Sequence, residues 1–203
     1  MDTVGLRERK KRETRIALSW AAVRLAVERG LDNVRVEDIA AEAGVSLRTF
    51  RNYFSNKAEA IAARHVDRTL RIADELLARP AEEPLWPALR SAIETQFALG
   101  QEGHGGMGKP DEQWLAGIRL MLTEPALQGE IAKAGATAEQ ELADAIAART
   151  GVSGMYPRLA AAAVGAAVGV AIAEWLRADP ARPMAELLSD ALDQLQAGLP
   201  EPG

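Results

Sequence analysis

The sequence lacks cysteine altogether and has only two histidines, His65 and His104, among its 203 residues. It therefore has no disulfide framework and no thiolate ligands, and we predict neither a metal site nor a cofactor. Aromatic residues make up only 4% of the chain, which is few for a pocket that stacks planar cations. The absence of disulfides is typical of a reducing compartment, so we predict a cytoplasmic location.

Long hydrophobic runs are also scarce. The basic start of the chain, MDTVGLRERKKRETR, is not followed by an apolar stretch, so we predict no secretory signal. The uncharged run at residues 159–173 is rich in alanine, whereas a membrane-spanning helix needs about 20 strongly apolar residues. We therefore predict that this run is a buried helix of a soluble protein and that the protein has no membrane partner.

Sequence patterns of common catalytic sites are absent as well: there is no P-loop, no Rossmann glycine pattern and no nucleophile elbow. Two pairs of carboxylates, Glu82 with Glu83 and Glu139 with Glu141, lie in polar stretches typical of a solvated helix surface. We therefore predict that the protein is not an enzyme and has no catalytic residues. An enzyme is the first alternative, and turnover of a bound small molecule would support it.

The charge of the chain is unevenly distributed. The net charge is −5, yet residues 1–57 hold twelve Lys and Arg against eight Asp and Glu, while the remainder holds twelve against 21. The net acidity argues against nonspecific coating of nucleic acid. A basic N-terminal part followed by an acidic body indicates that a contact with DNA is confined to one end of the molecule.

The hydrophobic pattern predicts an all-α protein. Apolar residues recur three and four positions apart, alternation of β-branched residues is almost absent, and glycine and proline separate the helical stretches. The glycine-rich stretch after residue 100 predicts a loop. We predict about nine helices, at residues 6–29, 36–43, 47–53, 56–79, 84–100, 113–122, 125–150, 157–178 and 183–197.

Residues 35–57, RVEDIAAEAGVSLRTFRNYFSNK, predict two short helices that flank a tight turn. Gly44 can adopt the left-handed conformation that such a turn requires, and Ser46 stands where the next helix needs an N-cap. This arrangement is a helix-turn-helix, whose second helix enters the major groove of DNA. An ordinary helical pair with a solvated face is the alternative. The small core predicted between the helices comprises Ile39, Ala40, Val45, Phe50 and Phe54.

The outer face of the second helix of this pair carries residue types that read base edges. Arg48 and Arg51 can each bind guanine through two hydrogen bonds, Asn52 can bind adenine in the same way, and Leu47 can contact a thymine methyl group. Phosphate contacts set the register on DNA without reading its sequence. We expect these contacts from Thr49, Tyr53 and Lys57, and we include the N-cap Ser46 among the DNA-binding residues.

A cluster of positive charges precedes the helix-turn-helix, near the N-terminus. It predicts a basic arm before the first helix, which can follow the DNA backbone or reach into a minor groove. A disordered charged terminus is the alternative. The residues of this arm are Arg7, Arg9, Lys10, Lys11 and Arg12.

Residues 12–61 resemble the TetR family of bacterial repressors. The resemblance rests on a helix that ends in ERG, on VEDIA and AGVS, on a threonine three residues further on, and on YF followed by a lysine three residues later. It implies a three-helix DNA-binding domain with the basic arm at residues 1–57 and a helical ligand-binding and dimerisation domain at residues 58–203. Arg35 stands where the family usually has threonine, and Arg51 where it often has an aromatic residue. Because both changes add positive charge, we expect additional phosphate or base contacts there.

The resemblance implies a homodimer that pairs through its last two helices. In the first of these, a stripe of small residues at four-residue spacing allows another helix to approach closely. Because glycine destabilises a helix by about 1 kcal/mol relative to alanine, the stripe indicates a tight contact, either between subunits or inside one subunit. The predicted dimer interface comprises Ala161, Gly165, Gly169, Trp175, Leu188 and Leu192.

The resemblance also implies a ligand cavity among the middle helices. The segment RLMLTEPAL is similar to a stretch in an actinobacterial subset of the family, and binding of acyl-coenzyme A esters is attributed to some members of that subset. This similarity implies a small hydrophobic or amphipathic ligand. For each candidate residue, an ordinary place in the core or on the surface is the alternative. The candidates are His65, Thr69, Trp86, Gln96, Phe97, Trp114, Ile118, Arg119 and Met121.

These predictions describe a transcriptional repressor that binds double-stranded, palindromic operator DNA as a homodimer and leaves it when a small molecule binds. Such a protein is nucleoid-associated while it is bound to DNA. A DNA-binding protein without an effector, an activator, and a multidrug sensor with a broad aromatic pocket are the alternatives. The low aromatic content weighs against the multidrug sensor.

Overall fold

The computed structural model describes residues 3–102, 112–177 and 182–199, and every regular element within these ranges is helical. This confirms the predicted all-α class. A short 3-10 turn at Leu31–Asn33 is the element that the sequence pattern did not predict. The α-helices in the described ranges are α1 (Thr3–Arg29), α2 (Val36–Glu42), α3 (Leu47–Arg51), α4 (Lys57–Ala78), α5 (Leu85–Glu102), α6 (Glu112–Thr123), α7 (Pro125–Thr150), α8 (Met155–Arg177) and α9 (Met184–Gln196).

The ends of these helices differ from the prediction by a few residues. α3 ends at Arg51 rather than at residue 53, and the Asn52 N–H closes the helix by donating to the carbonyls of Arg48 and Thr49. α8 begins at Met155, two residues earlier than predicted. Pro157 is therefore in its first turn, where a missing N–H needs no partner. The predicted glycine-rich loop, which includes His104, lies mostly outside the described residues.

Contacts between Cα atoms divide the chain into two compact units. The first unit combines residues 1–67 with 110–135, and the second combines residues 68–109 with 136–203. The first unit extends beyond the predicted DNA-binding domain because side chains from α6 and from the start of α7 belong to the same apolar core as α1–α3. The predicted functional boundary between residues 57 and 58 stays a prediction.

The core of the first unit is centred on α1. Leu18 and Leu25 from this helix are buried in one cluster with Ile39 of α2, Phe50 of α3 and Leu127 of α7. Residues from much later in the chain therefore support the short helices α2 and α3.

α6 packs closely on α1 within the same unit. A Cβ atom on Gly117 would lie 2.8 Å from Cγ1 of Val23, which is closer than real side chains approach. Glycine at this position therefore lets the two helices come together.

Polar contacts also hold α1 to its neighbours in this unit. Arg24 forms an ion pair with Glu42 of α2. The buried Ser19 donates from its Oγ to the carbonyl of Ala60 in α4 at 2.6 Å. Together these contacts tie α2 and α4 to α1.

α8 and α9 form the main helical pair of the second unit. Val164 and Trp175 of α8 are buried, as is Leu188 of α9. Arg90 of α5 donates to Ser189 Oγ at 2.6 Å and also pairs with Asp193, so that α5 is tied to α9.

The end of α7 is fixed to the end of α4 by one side chain. The guanidinium of Arg149 donates to four backbone carbonyls, which lie 2.6–3.2 Å away. This bonding supplies a partner for the Leu76 carbonyl in the last turn of α4 and holds the turn that follows this helix. The four carbonyls belong to Leu76, Arg79, Pro80 and Glu83.

α8 is less buried than the sequence predicts. By length and composition it could cross a membrane, a criterion that core helices of water-soluble proteins also meet, and 28% of its most apolar window is buried in the described structure. The prediction of a buried helix at residues 159–173 is therefore wrong for much of that run. The α8–α9 contact leaves apolar side chains of α8 exposed, among them Leu159 and Val170.

Candidate nucleic-acid interface

The turn between α2 and α3 has the geometry predicted for a helix-turn-helix. Gly44 has a φ of 68°, in the left-handed region where glycine avoids the steric penalty of a Cβ atom. The N–H of Gly44 donates to Ala41 O at 3.0 Å, and the N–H of Val45 donates to Ala40 O at 2.9 Å. The end of α2 is thereby capped as the chain turns towards α3.

α3 starts at the predicted N-cap. Ser46 Oγ accepts a hydrogen bond from the Thr49 N–H at 3.1 Å and lies 2.9 Å from Thr49 Oγ1. The first bond satisfies one of the backbone donors that the start of a helix leaves open. The second holds the Thr49 side chain in place.

Two aromatic side chains fix the inner face of α3. Phe50 and Phe54 are buried as predicted, and their ring centroids are 5.9 Å apart. The guanidinium of Arg15 lies 5.5 Å from the centroid of the Phe54 ring and pairs with Asp67 of α4. These contacts anchor α3 to the core of the first unit although the helix is only five residues long.

The outer face of α3 presents the predicted base-reading residues. Arg48, Arg51 and Asn52 are exposed, and Leu47 is half-buried beside them. Tyr53 is also half-buried and packs against the core of the first unit, which leaves part of its ring accessible. The structure thus brings the exposed arginines and the asparagine onto one short surface, and their contacts with DNA stay a prediction.

Arg35 occupies the N-cap position of α2 and is exposed. Its backbone N–H donates to Asp38 Oδ2 at 3.0 Å, which is one half of a capping box. The other half is missing because an arginine side chain has no acceptor. The guanidinium of Arg35 therefore takes no part in capping.

Lys57 has a structural role that the sequence did not reveal. Its Nζ donates to Leu31 O at 2.6 Å and to Val34 O at 2.9 Å, and the side chain is partly buried. Two of its three N–H donors therefore hold the 3-10 turn against the start of α4. Its predicted phosphate contact stays a prediction, and only one donor remains for it.

The predicted basic arm is helical. α1 begins at Thr3, so the positive charges project from its first turns, which agrees with the helix predicted at residues 6–29 and not with an arm before it. All five of these basic residues are exposed. Their charges can still lie along a phosphate backbone, but as one face of a helix. These residues are Arg7, Arg9, Lys10, Lys11 and Arg12.

The predicted ligand residues fall into both units. In the first unit, His65 and Arg119 are exposed, Ile118 is buried, and Met121 packs against the core that supports α3. The backbone of Trp114 lies in α6, while its side chain is outside the described part of the structure.

In the second unit, Phe97 is buried and three further candidates, Thr69, Trp86 and Gln96, are half-buried. Arg68 of α4 was not among the predicted candidates, and its guanidinium stacks on Phe97. The ligand-binding roles of the predicted residues stay predictions.

The predicted dimer residues separate into two groups. Gly165 and Gly169 are exposed on α8. The other four are buried within one subunit, where their side chains contribute to the core of the second unit. A role for these four at a subunit interface stays a prediction. They are Ala161, Trp175, Leu188 and Leu192.

The comparisons with known proteins agree with this site. The family model described as bacterial regulatory proteins, tetR family, matches residues 20–63, and the model described as MftR C-terminal domain matches residues 83–200. The first match contains the whole helix-turn-helix, and the second covers more than half of the chain. This protein therefore belongs to the TetR family of transcriptional regulators, a family that is not one of enzymes.

Individual relatives support the same assignment. The HTH-type transcriptional regulator TcmR of Streptomyces glaucescens is 34% identical over 205 residues, which cover 96% of this chain and 88% of TcmR. SmeT, the repressor of a Stenotrophomonas maltophilia multidrug efflux pump, is 22% identical with a TM-score of 0.57 over 93% of this chain and 96% of SmeT. The Thermus thermophilus repressor FadR, solved with lauroyl-CoA, is 19% identical with a TM-score of 0.54 over 93% of this chain and 99% of FadR. At such identities the two structures show a shared fold.

Proposed function

We propose that this protein is a sequence-specific repressor that binds operator DNA through α2 and α3 and leaves it when a small molecule binds. The observation that carries the proposal is the outer face of α3, where Arg48, Arg51 and Asn52 are exposed above the buried Phe50 and Phe54. Residue types that recognise base edges thus lie on a helix whose opposite face is held in the core by Phe50 and Phe54. This is the requirement for reading a major groove.

Base and phosphate contacts are divided between different side chains. Arg48, Arg51 and Asn52 contact bases, whereas Arg35 and Thr49 contact phosphates. The hydroxyl of Ser46 can donate to Thr49 Oγ1 across their 2.9 Å separation, which leaves the Thr49 O–H for a phosphate oxygen. Arg35 has its whole guanidinium available because its capping contact uses only the backbone.

The protein acts as a homodimer that pairs through α8 and α9. Exposed apolar residues on α8 support this proposal: Met155 is 79% exposed, Leu159 62% and Val170 60%. A groove of about 550 Å³ between α8 and α9 is lined by alanines such as Ala167 and Ala191, together with charged residues such as Asp190. A second copy of the chain would cover this surface, and a two-fold axis would set two copies of α3 for the halves of a palindromic site.

The effector is a small amphipathic molecule, and α4 carries its signal. α4 begins shortly after α3 in the first unit and ends in the second unit. A ligand that moves the second half of this helix would therefore also move the half that belongs to the DNA-binding unit. The effector must bind the form that is released from DNA more tightly, because otherwise it shifts nothing. The lauroyl-CoA bound to the Thermus thermophilus FadR supports an acyl compound as the first ligand class to examine. The regulator works in the cytoplasm, on the nucleoid.

The experiment that tests DNA binding is selection of duplexes from a random pool at physiological salt, followed by sequencing. We expect a palindromic consensus with two half-sites about one or more helical turns apart. The variant Arg51→Ala should keep this architecture and lose preference at one base pair in each half-site. The matched control Arg29→Ala removes an equal charge from the exposed end of α1 and should leave the consensus unchanged.

The result that would overturn the proposal is a pool without enrichment, both alone and in the presence of acyl compounds. A consensus that contains only one half-site would support sequence-specific DNA binding and contradict binding as a dimer. A consensus that does not respond to Arg51→Ala or to Asn52→Ala would show that α3 is not the reading helix.

A further inference from the structure

Arg68 and Arg71 lie one turn apart on α4 in the second unit, and both are partly buried. The guanidinium carbon of Arg68 lies 4.7 Å from the centroid of the Phe97 ring in α5. Phe97 is only 3% exposed, and Ile72, which lies one helical turn after Arg68 on α4, is buried as well. Arg68 therefore holds a positive charge against apolar surface rather than in open water.

Other arginines of the same unit have polar partners. Arg79 donates to both carboxylate oxygens of Glu83 at 2.6 and 2.9 Å, and Arg90 bonds Ser189 at 2.6 Å. Within the described ranges, by contrast, neither Arg68 nor Arg71 makes a hydrogen bond or an ion pair. Up to five N–H donors of each guanidinium are thus without a protein acceptor among those residues.

This arrangement is unfavourable for the protein on its own. Desolvation by burial, and secondarily the charge of Arg71, lower the pKa of Arg68 to about 10. The attraction of the Phe97 ring offsets part of that cost but provides no acceptor for the N–H groups. A partly buried cation without an anion is what a site shows before an anionic ligand arrives, because the ligand then supplies both the charge and the acceptors.

We propose that Arg68, with Arg71 beside it, binds the anionic head group of an amphipathic effector in the second unit. Phe97 and Ile72 would contact the apolar part of the molecule next to that head group. The group is a carboxylate or a phosphate ester, since both accept two parallel hydrogen bonds from a guanidinium. This inference rests on the proposed function, in which the second unit receives a small-molecule effector.

The test compares probes that share one chain and differ in their head groups: decanoate, decyl phosphate and decanol. Calorimetric titration measures their affinity for the full-length protein, and fluorescence anisotropy measures release of the operator found by selection. We expect the wild type to bind one or both anions at least about tenfold more tightly than decanol, as one charge-assisted hydrogen bond provides. Preference for decanoate identifies a carboxylate ligand, and preference for decyl phosphate a phosphate ester.

The decisive variant is Arg68→Met, which keeps much of the side-chain volume and removes the charge. It should bind the preferred anion about tenfold less tightly and decanol equally well, with unchanged affinity for operator DNA. Arg68→Lys should recover part of the affinity, because it restores the charge without the planar fork. Arg177→Met, which removes an exposed arginine of the same unit, should bind the anion like the wild type.

Thermal unfolding separates recognition from a structural role. Because Arg68→Met removes a charge that has no protein anion, its Tm without ligand should equal or exceed that of the wild type. A lower Tm together with unchanged anion affinity would overturn the inference and make Arg68 a structural residue. Equal affinity of the wild type for decanol and for both anions would overturn it as well. An operator consensus would still be found in that case, so the proposed DNA binding would stand.

Discussion

The arginines of α3 and those of the second half of α4 meet opposite environments. Arg48 and Arg51 are exposed, so their charges are hydrated before anything binds. Arg68 and Arg71 are partly buried, and the pKa of Arg68 falls to about 10. Exposed arginines can bind a polyanion such as DNA, and the affinity of such binding depends steeply on salt concentration. Partly buried arginines suit a single enclosed anion, because salt screens a buried ion pair only weakly. We therefore propose that arginine serves two recognition tasks in this protein, with the burial of each side chain deciding which one.

The largest effect should come from removing the support of the exposed arginines. Phe50→Ala deletes a fully buried ring under α3, so we expect the free energy of unfolding to fall by about 3–5 kcal/mol. Urea unfolding followed by circular dichroism measures it. The control Leu77→Ala, at a position 52% exposed, should change stability by less than about 0.5 kcal/mol. A Phe50→Ala loss as small as that of the control would mean that α3 does not depend on this core.

The proposed dimer surface predicts the next largest effect. Leu159→Glu would place two carboxylates at the two-fold interface, so we expect dimerisation to weaken by about 3 kcal/mol or more. Sedimentation velocity over a range of protein concentrations measures the change. Leu77→Glu puts the same charge on an exposed apolar position of α4 and should leave the dimer intact. If Leu159→Glu dimerised like the wild type, the exposed side of α8 would not be the interface.

A smaller and more selective effect should follow from Arg51→Ala. The loss of one bidentate contact should reduce discrimination at one base pair by about 1–3 kcal/mol. Competition binding with operators changed at single positions measures this discrimination. Arg68→Met should leave it untouched, because that side chain is assigned to an anionic effector and not to DNA. A similar loss of base-pair discrimination in Arg51→Ala and Arg68→Met would contradict the assignment of exposed arginines to DNA and of partly buried ones to the effector.

The smallest effect concerns the N-cap of α3. Ser46→Ala removes the acceptor of the Thr49 N–H, so we expect a loss of about 1 kcal/mol in stability. Ser55→Ala is the control, since Ser55 is exposed and donates its backbone N–H, rather than its hydroxyl, to the Glu59 carboxylate. Chemical denaturation of both variants under the same conditions compares them. Equal stability of Ser46→Ala and Ser55→Ala would contradict the capping role.

The helix-turn-helix could be predicted because its signals are local. A glycine that tolerates positive φ, a serine at the N-cap and two phenylalanines one turn apart each act within a few residues of the chain. The structure confirms the conformation of Gly44, the cap at Ser46 and the burial of Phe50 and Phe54. The family assignment followed from the same string of residues.

The features that escaped prediction depend on distant parts of the chain. Lys57 reads as a phosphate contact in sequence, yet its Nζ bonds carbonyls more than twenty residues earlier. Met121 reads as a ligand residue, yet it packs against the core under α3. The N-terminal charges read as an arm before the first helix, although the helix predicted at residues 6–29 already contained them, as α1 does. The contacts of Lys57 and Met121 have no signature in neighbouring residues.

By itself the sequence determined the all-α class, the positions of the α-helices, the helix-turn-helix and the TetR family, because hydrophobic period, caps and turn residues act over short distances. Only the tertiary structure decided that α6 and the start of α7 complete the core beneath α3 and that α8 keeps an exposed apolar side. It also decided that Arg68 lies against Phe97 without a protein anion in the described ranges. The burial of a side chain and its hydrogen-bond partners depend on residues far apart in the chain, so both are determined only when the helices pack.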